Sequence, residues 1–267
     1  MSKIIDIHTH CFPDSLAARA LARLQLDGGI PVYSDGTVAG LIRSASLAGI
    51  DKVVIQPIAT RPEQTVTINR WAYGVQNSQV CSFGTLHPDY GGWPEEIEWL
   101  RSQGFPGIKM HPEYQGFFVD DERYFPFYEA AFRAGLILLF HAGADLAYPG
   151  PYHCTPERLA RVLDAFPDGR IIAAHMGGYH YWDDVEKYLL GRPIYLDTSF
   201  CLAELQPDRM VALMRGHGLE RVLYGSDSPW ADQITDLAAV RTLPLSDSEM
   251  AGVLGGHAAR LLGWEGF

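Results

Sequence analysis

Short runs of β-branched and apolar residues recur along the chain, and each ends in polar residues, glycine or proline. Eight of them read as strands: KIIDIHTH from residue 3, KVVIQPI from 52, VCSFGTLH from 80, GIKMHP from 107, LILLFHAG from 136, RIIAAHMGG from 170, PIYLDTSF from 193 and RVLYGSDSPW from 221. Segments with helical spacing lie between them. Thr155 is a helix N-cap followed by Pro156, after which Leu159, Val162, Leu163 and Phe166 fall at i, i+3, i+4 and i+7. Similar patterns predict helices over 14–26, 63–77, 94–103, 122–134, 182–190 and 207–215, and Ser246 with Glu249 offers a capping box for one more.

After the first strand, the strands follow one another at the spacing of one strand, one crossover helix and two short loops. The first interval is longer and has room for an extra helix and a glycine-containing excursion around Asp27 to Gly36. Eight strand–helix units in a row predict an α/β chain folded as a distorted (β/α)8 TIM barrel, a single domain over residues 1–267. An open doubly wound sheet is the alternative, but it would carry fewer strands and a glycine-rich phosphate loop after the first. Neither GxGxxG nor GK[ST] follows strand one.

Composition narrows the partners. A chain of 267 residues with 47% hydrophobic content buries a sizeable core and is not disordered. A net charge of -11 without any basic run argues against nucleic acid and anionic membranes as partners. The start of the chain lacks a signal pattern, and the longest purely apolar run, LILLF at 136–140, is too short to cross a bilayer, so a cytoplasmic location is expected. Cys11, Cys81, Cys154 and Cys201 form no CxxC pair, which fits reduced thiols rather than a disulfide framework or a structural zinc site.

Candidate chemistry sits where the strands end. In the first strand, alternation puts Ile5, Ile7 and Thr9 on one face and Asp6, His8 and His10 on the other. Burying those polar groups without partners would cost roughly 2 to 7 kcal/mol each, so something must compensate. Six of the ten histidines, His8, His10, His87, His111, His141 and His175, lie at or just past a strand's C-terminal end, and Asp197 and Asp227 end strands seven and eight. A barrel gathers those ends on its active face.

His8 and His10 with a nitrogen of His141 and a carboxylate oxygen of Asp227 make a His3Asp set. It suits one Zn2+ ion and leaves Mn2+, Fe2+ or Co2+ open. His175 is then a general acid/base or the ligand of a second metal, and Asp227 also has a proton-transfer role. Asp6 either orients a ligand histidine or pairs inside the barrel. Lys109, on the same face as His111, is a carboxylated bridging ligand, a cation for a substrate carboxylate or the partner of a neighbouring acid. His111, Arg61 and Trp230 are candidate substrate contacts, and His87 is either a pocket residue or a hydrogen-bonded strand end.

The motifs DIHTH, GIKMHP, HAG, AHMGG and YGSDSPW, in that order, resemble the amidohydrolase superfamily, in particular the amidohydrolase-related branch that includes aminocarboxymuconate semialdehyde decarboxylase. The resemblance runs from Asp6 to the final HAARLLG segment. It implies a distorted (β/α)8 barrel with a divalent metal, commonly zinc. His8, His10, His141 and Asp227 match the ligand positions, and His175 matches the acid/base of the decarboxylases. Lys109 is similar to the carboxylated lysine of two-metal members, although GIKMHP also resembles single-metal relatives. The expected activity is hydrolysis of an amide, ester or lactone of a small molecule. The alternative is non-oxidative decarboxylation of a small unsaturated or aromatic carboxylic acid, and association into a homo-oligomer is compatible with either.

Overall fold

The computed structural model describes residues 3–264. In chain order its elements are β1 (Ile5–Thr9), α1 (Asp14–Gly28), α2 (Val38–Ala48), β2 (Lys52–Ile55), α3 (Thr65–Val75), β3 (Val80–Ser82), β4 (Gly84–Thr85), α4 (Trp93–Ser102), β5 (Gly107–Met110), α5 (Pro112–Gln115), α6 (Phe125–Arg133), β6 (Ile137–Phe140), α7 (Pro156–Ala165), β7 (Ile171–Ala173), α8 (Trp182–Tyr188), β8 (Tyr195–Asp197), α9 (Pro207–His217), β9 (Val222–Leu223), α10 (Gln233–Val240), α11 (Asp247–Ala251) and α12 (His257–Leu262). Each segment read as a strand contains one. The run from 80 divides into β3 and β4 at Phe83, whose carbonyl accepts the Ser82 hydroxyl at 2.7 Å. The long first interval holds α2, capped by Thr37. The short helix α10, capped by Asp232, was not legible from spacing.

The chain forms two compact units. The first takes the chain up to Ile55, Asn77–Cys81 and the chain from Asp197; the second takes Gln56–Gln76 and Ser82–Leu196.

In the first unit the strand order is β1-β2-β3. β1 runs parallel to β2, with Asp6 opposite Val53 and Thr9 opposite Ile55, so three residues of β1 step against two of β2. Such an extra residue re-aims side chains, and here it interrupts the strict alternation that the sequence suggests. On its other side β1 meets the segment after β9: the N–H groups of Ile7, Asp227 and His10 donate to the carbonyls of Tyr224, His8 and Ser228 at 2.9, 2.8 and 2.6 Å. Gly225 is required at this contact, because a Cβ there would stand 2.8 Å from the His8 Cβ.

In the second unit parallel strands follow in the order β4-β5-β6-β7-β8. Lys109 pairs with Leu139, Leu139 with Ile172 and Ala173 with Leu196. Ile108, Leu138, Leu139, Phe140, Ile171 and Ile172 are all fully buried, as parallel strands covered on both faces require. The predicted cap of α7 forms, with the Thr155 side chain accepting the Arg158 N–H and Leu159, Val162 and Leu163 turned inward. Each such leucine or valine adds about 1.5 to 3 kcal/mol by leaving water. Among the described residues no helix is long and apolar enough to cross a membrane.

Candidate functional site

In the first unit the end of β1 and the turn after β9 bring together His8, His10 and Asp227, with one ligand-type atom from each within 4.8 Å of the others. Asp227 Oδ1 stands 3.1 Å from His10 Nε2 and 3.5 Å from His8 Nε2. Donors bound tetrahedrally to one zinc ion at about 2.1 Å lie about 3.4 Å apart, so this spacing fits a shared divalent cation.

The other ring nitrogen of His8, Nδ1, lies 2.9 Å from Asp197 Oδ2 and 3.1 Å from Ser199 Oγ. Asp197 Oδ1 accepts the Ser199 N–H at 3.1 Å and also the Ser199 hydroxyl. Of the two roles open to Asp6, the structure shows internal pairing. Its carboxylate accepts the Ser226 N–H and hydroxyl at 2.9 and 2.6 Å, Gln233 Nε2 at 2.8 Å and the His8 backbone N–H at 3.2 Å. Asp6 thereby ties β1 to the β9 turn and to α10. Burial pushes its carboxyl up to about 6, with these hydrogen bonds opposing the rise.

The second unit gathers the other histidines. One ligand-type atom from each of His111, His141 and Asp145 also lies within 4.8 Å of the others. The His111 ring stacks between Tyr114 at 3.9 Å and His141 at 4.2 Å. Its backbone is fixed by Gln115, whose Oε1 accepts the His111 N–H at 2.9 Å while Nε2 donates to the carbonyls of Ala59 and Leu86. Asp145 Oδ2 lies 3.4 Å from His111 Nε2 and 3.9 Å from His141 Nε2.

His141 makes two further contacts, Nε2 with the Ala144 carbonyl at 3.2 Å and Nδ1 with His175 Nε2 at 3.0 Å. A carbonyl only accepts, so this arrangement assigns the proton to Nε2 and makes Nδ1 the acceptor from His175. Burial, and then the charges of His111, His175 and Lys109, hold the His141 pKa well below the usual imidazole range. Lys109 is almost fully buried on β5. Behind the cluster, Glu113 Oε1 accepts the His153 N–H at 2.7 Å. Its Oε2 is buried with no hydrogen-bond partner, and burial pushes the carboxyl up to about 7.

Backbone strain collects at these loops. His175, Met176, His180, Phe200 and Asp227 are non-glycine residues with φ of 59, 53, 60, 57 and 67°. Left-handed conformations cost such residues on the order of 1 to 3 kcal/mol and persist where the surroundings enforce them, often at functional sites. His175 is pinned by Trp182 Nε1, which donates to its carbonyl at 3.2 Å. Gly143 has a φ of 88°, and a Cβ there would overlap the Tyr179 nitrogen at 2.2 Å. Around it, Tyr179 N–H donates to Ala142 O and Ala144 N–H to Tyr179 O, both at 2.9 Å, which sets the loop carrying His141 and Asp145.

Of the predicted substrate contacts, Arg61 belongs to neither cluster. Arg61 is exposed, and its guanidinium pairs with Glu63 at 3.0 Å. Trp230 is half-buried and follows Asp227 in the same turn, its backbone N–H donating to the Asp227 carbonyl at 2.9 Å. His87 Nδ1 accepts the Asp89 N–H at 3.2 Å, a local strand-end bond. Asp145, Ser199 and Glu113 went unread in the sequence. Asp145 follows His141 by four residues and Ser199 follows the strand-ending Asp197 by two, the only signals that could have found them.

A family model described as amidohydrolase matches residues 5–264. No curated protein matches the chain significantly. Among solved structures, an uncharacterized TIM-barrel protein from Bordetella bronchiseptica is 20% identical with a TM-score of 0.78, the match covering 99% of this chain and 100% of that one. A 2,6-dihydroxybenzoate decarboxylase complexed with 2,6-dihydroxybenzoate is 14% identical with a TM-score of 0.75, and both chains are fully covered. A dihydroxybenzoic acid decarboxylase from a Polaromonas species, with bound manganese and the inhibitor 2-nitroresorcinol, is 15% identical with a TM-score of 0.72, covering 98% and 97%. These likenesses show the fold, that of a TIM barrel, along the length of the chain.

Proposed function

Because the chain belongs to the amidohydrolase family, we propose that this enzyme removes CO2, without oxidation, from a small unsaturated or aromatic carboxylic acid. This puts decarboxylation ahead of the hydrolysis that the sequence favoured. The observation that carries the reading is the buried His175–His141 pair on the unit that also buries Lys109. It combines a proton donor suited to carbon with a cation suited to a carboxylate. The decarboxylases of similar fold support it.

In this reading His8, His10 and Asp227 hold a divalent cation, while His141, read from the sequence as a fourth ligand, lies in the second unit beside His111 and Asp145. When bound, the ion, which we propose is Zn2+, supplies Lewis-acid polarisation of a substrate oxygen. We propose one ion, held by this trio.

Lys109 pairs with the substrate's acidic group, and His111, held flat between Tyr114 and His141, donates to a substrate oxygen. Arg61 and Trp230 remain candidates for outer contacts. His175 then gives the proton on Nε2 to the substrate carbon as its bond to the carboxylate breaks. The electron pair of that bond becomes the new C–H bond, CO2 leaves, and no electrons are gained or lost overall. Asp227, beside both imidazoles of the first trio, can take up a proton during turnover. The whole chain acts as one catalytic domain on a small molecule, with no part for nucleic acid or a membrane.

The test is a panel of aromatic and unsaturated carboxylates, amides, esters and lactones offered to the zinc-loaded protein in D2O. The expected result is CO2 release with one solvent deuteron on the product carbon. Release of an acid from an amide, ester or lactone without CO2 would establish hydrolysis instead.

A further inference from the structure

We propose that Asp197 is a positioning residue that fixes His8 in the cation-binding tautomer, and that Ser199 in turn fixes Asp197; the proposal rests on the metal centre assigned above. Asp197 ends β8, is fully buried and aims Oδ2 at His8 Nδ1 from 2.9 Å. The Asp197 carboxyl already accepts at Oδ1 from Ser199, and with Oδ2 as acceptor too the proton between these atoms belongs to Nδ1. The lone pair is left on Nε2, the atom that faces Asp227 Oδ1. A ligating imidazole is held in this way when its second nitrogen donates to a carboxylate, which also raises the ring's basicity.

Ser199 makes the aim of Asp197 specific. Its N–H and hydroxyl both donate to Oδ1, which leaves Oδ2 turned to the imidazole. The same turn holds Phe200 at a φ of 57°. Charge points the same way. Asp227 and Asp197 place two carboxylates on the imidazole pair within a buried region, a costly arrangement by itself that a divalent cation offsets. Asp197 therefore contributes to cation affinity through His8 without touching the cation.

The experiment measures Zn2+ affinity of chelator-stripped protein by competition with a chromophoric chelator. It compares wild type, Asp197→Ala, Asp197→Asn, Ser199→Ala and His8→Ala, and adds the Asp197→Ala change in the His8→Ala background. Asp197→Ala is expected to weaken binding about 10- to 100-fold. Asp197→Asn, which keeps an acceptor for Nδ1, should recover part of that loss, and Ser199→Ala should weaken binding by a smaller factor. In the His8→Ala background the Asp197 change should cost little more, because the ring it positions is gone. Should Asp197→Ala fail to fold, Asp197→Asn and Ser199→Ala carry the comparison. Wild-type affinity in the Asp197 variants, or an equal loss with and without His8, would overturn the inference while leaving the metal centre standing. A wild-type protein that binds no zinc would overturn both.

Discussion

Replacing Glu113 with glutamine should flatten part of the pH dependence of folding stability. The Glu113 carboxyl is buried, with one oxygen accepting the His153 N–H at 2.7 Å and the other without a partner. Burial pushes its pKa from 4.5 up to about 7, and the nearby Asp145 charge adds to the rise. The unfolded chain thus loses this proton near 4.5, whereas the folded chain keeps it to about 7. Between those values the native state binds more protons, so stability falls as pH rises and levels off above the folded value. The difference of about 2.5 units corresponds to about 3 kcal/mol at 1.36 kcal/mol per unit, of which about 2 to 3 lies between pH 5 and pH 8.

Glutamine keeps the acceptor for His153 and cannot ionise. Relative to wild type, Glu113→Gln should therefore gain about 2 to 3 kcal/mol from pH 5 to pH 8, because the wild type alone pays the ionisation penalty. Urea unfolding of the metal-stripped proteins at both pH values measures it, and titrations common to the two proteins cancel in the comparison. Parallel pH slopes would show that Glu113 ionises as easily in the folded protein as in the unfolded chain, and would remove the buried, half-satisfied carboxyl from the account.

Other consequences are as direct. His8→Ala and Asp227→Ala should each bring bound zinc from near one equivalent toward none, with loss of activity and an intact circular dichroism spectrum; elemental analysis showing equal metal in wild type and variants would refute the assignment. His175→Ala should keep its metal and lose on the order of 10²-fold in turnover, as expected for a missing proton donor, and unchanged turnover would remove His175 from the chemistry. Gly143→Ala should destabilise by more than 1 kcal/mol, because the new methyl group meets Tyr179 backbone at a φ of 88°. A thermal midpoint equal to wild type would contradict that contact.

The strand and helix pattern was readable because parallel strands buried on both faces leave apolar runs such as LILLF, and caps such as Thr155–Pro156 mark where helices begin. The trio of His8, His10 and Asp227 was readable because His8 and His10 stand two residues apart at the end of one strand and Asp227 follows shortly after another. What stayed hidden depends on side-chain direction and register. The extra residue in β1 between Asp6 and Thr9 leaves no sequence mark, so alternation alone could not show that Asp6 turns to Ser226 and Gln233 while His8 turns to Asp197. Asp145 belongs to the second cluster because of a loop shaped around Gly143, and no periodicity encodes that shape. Arg61 follows β2 closely in sequence, yet its side chain is exposed and pairs with Glu63.

β1 lies hydrogen-bonded between β2 and the segment that follows β9, so its neighbours come from opposite ends of the chain. During synthesis His8 and His10 leave the ribosome more than two hundred residues before Asp227. For most of translation the two imidazoles have no carboxylate to complete their grip. On the proposed assignment, cation loading falls to the last stage of maturation, after the late segment has docked on the earliest strand.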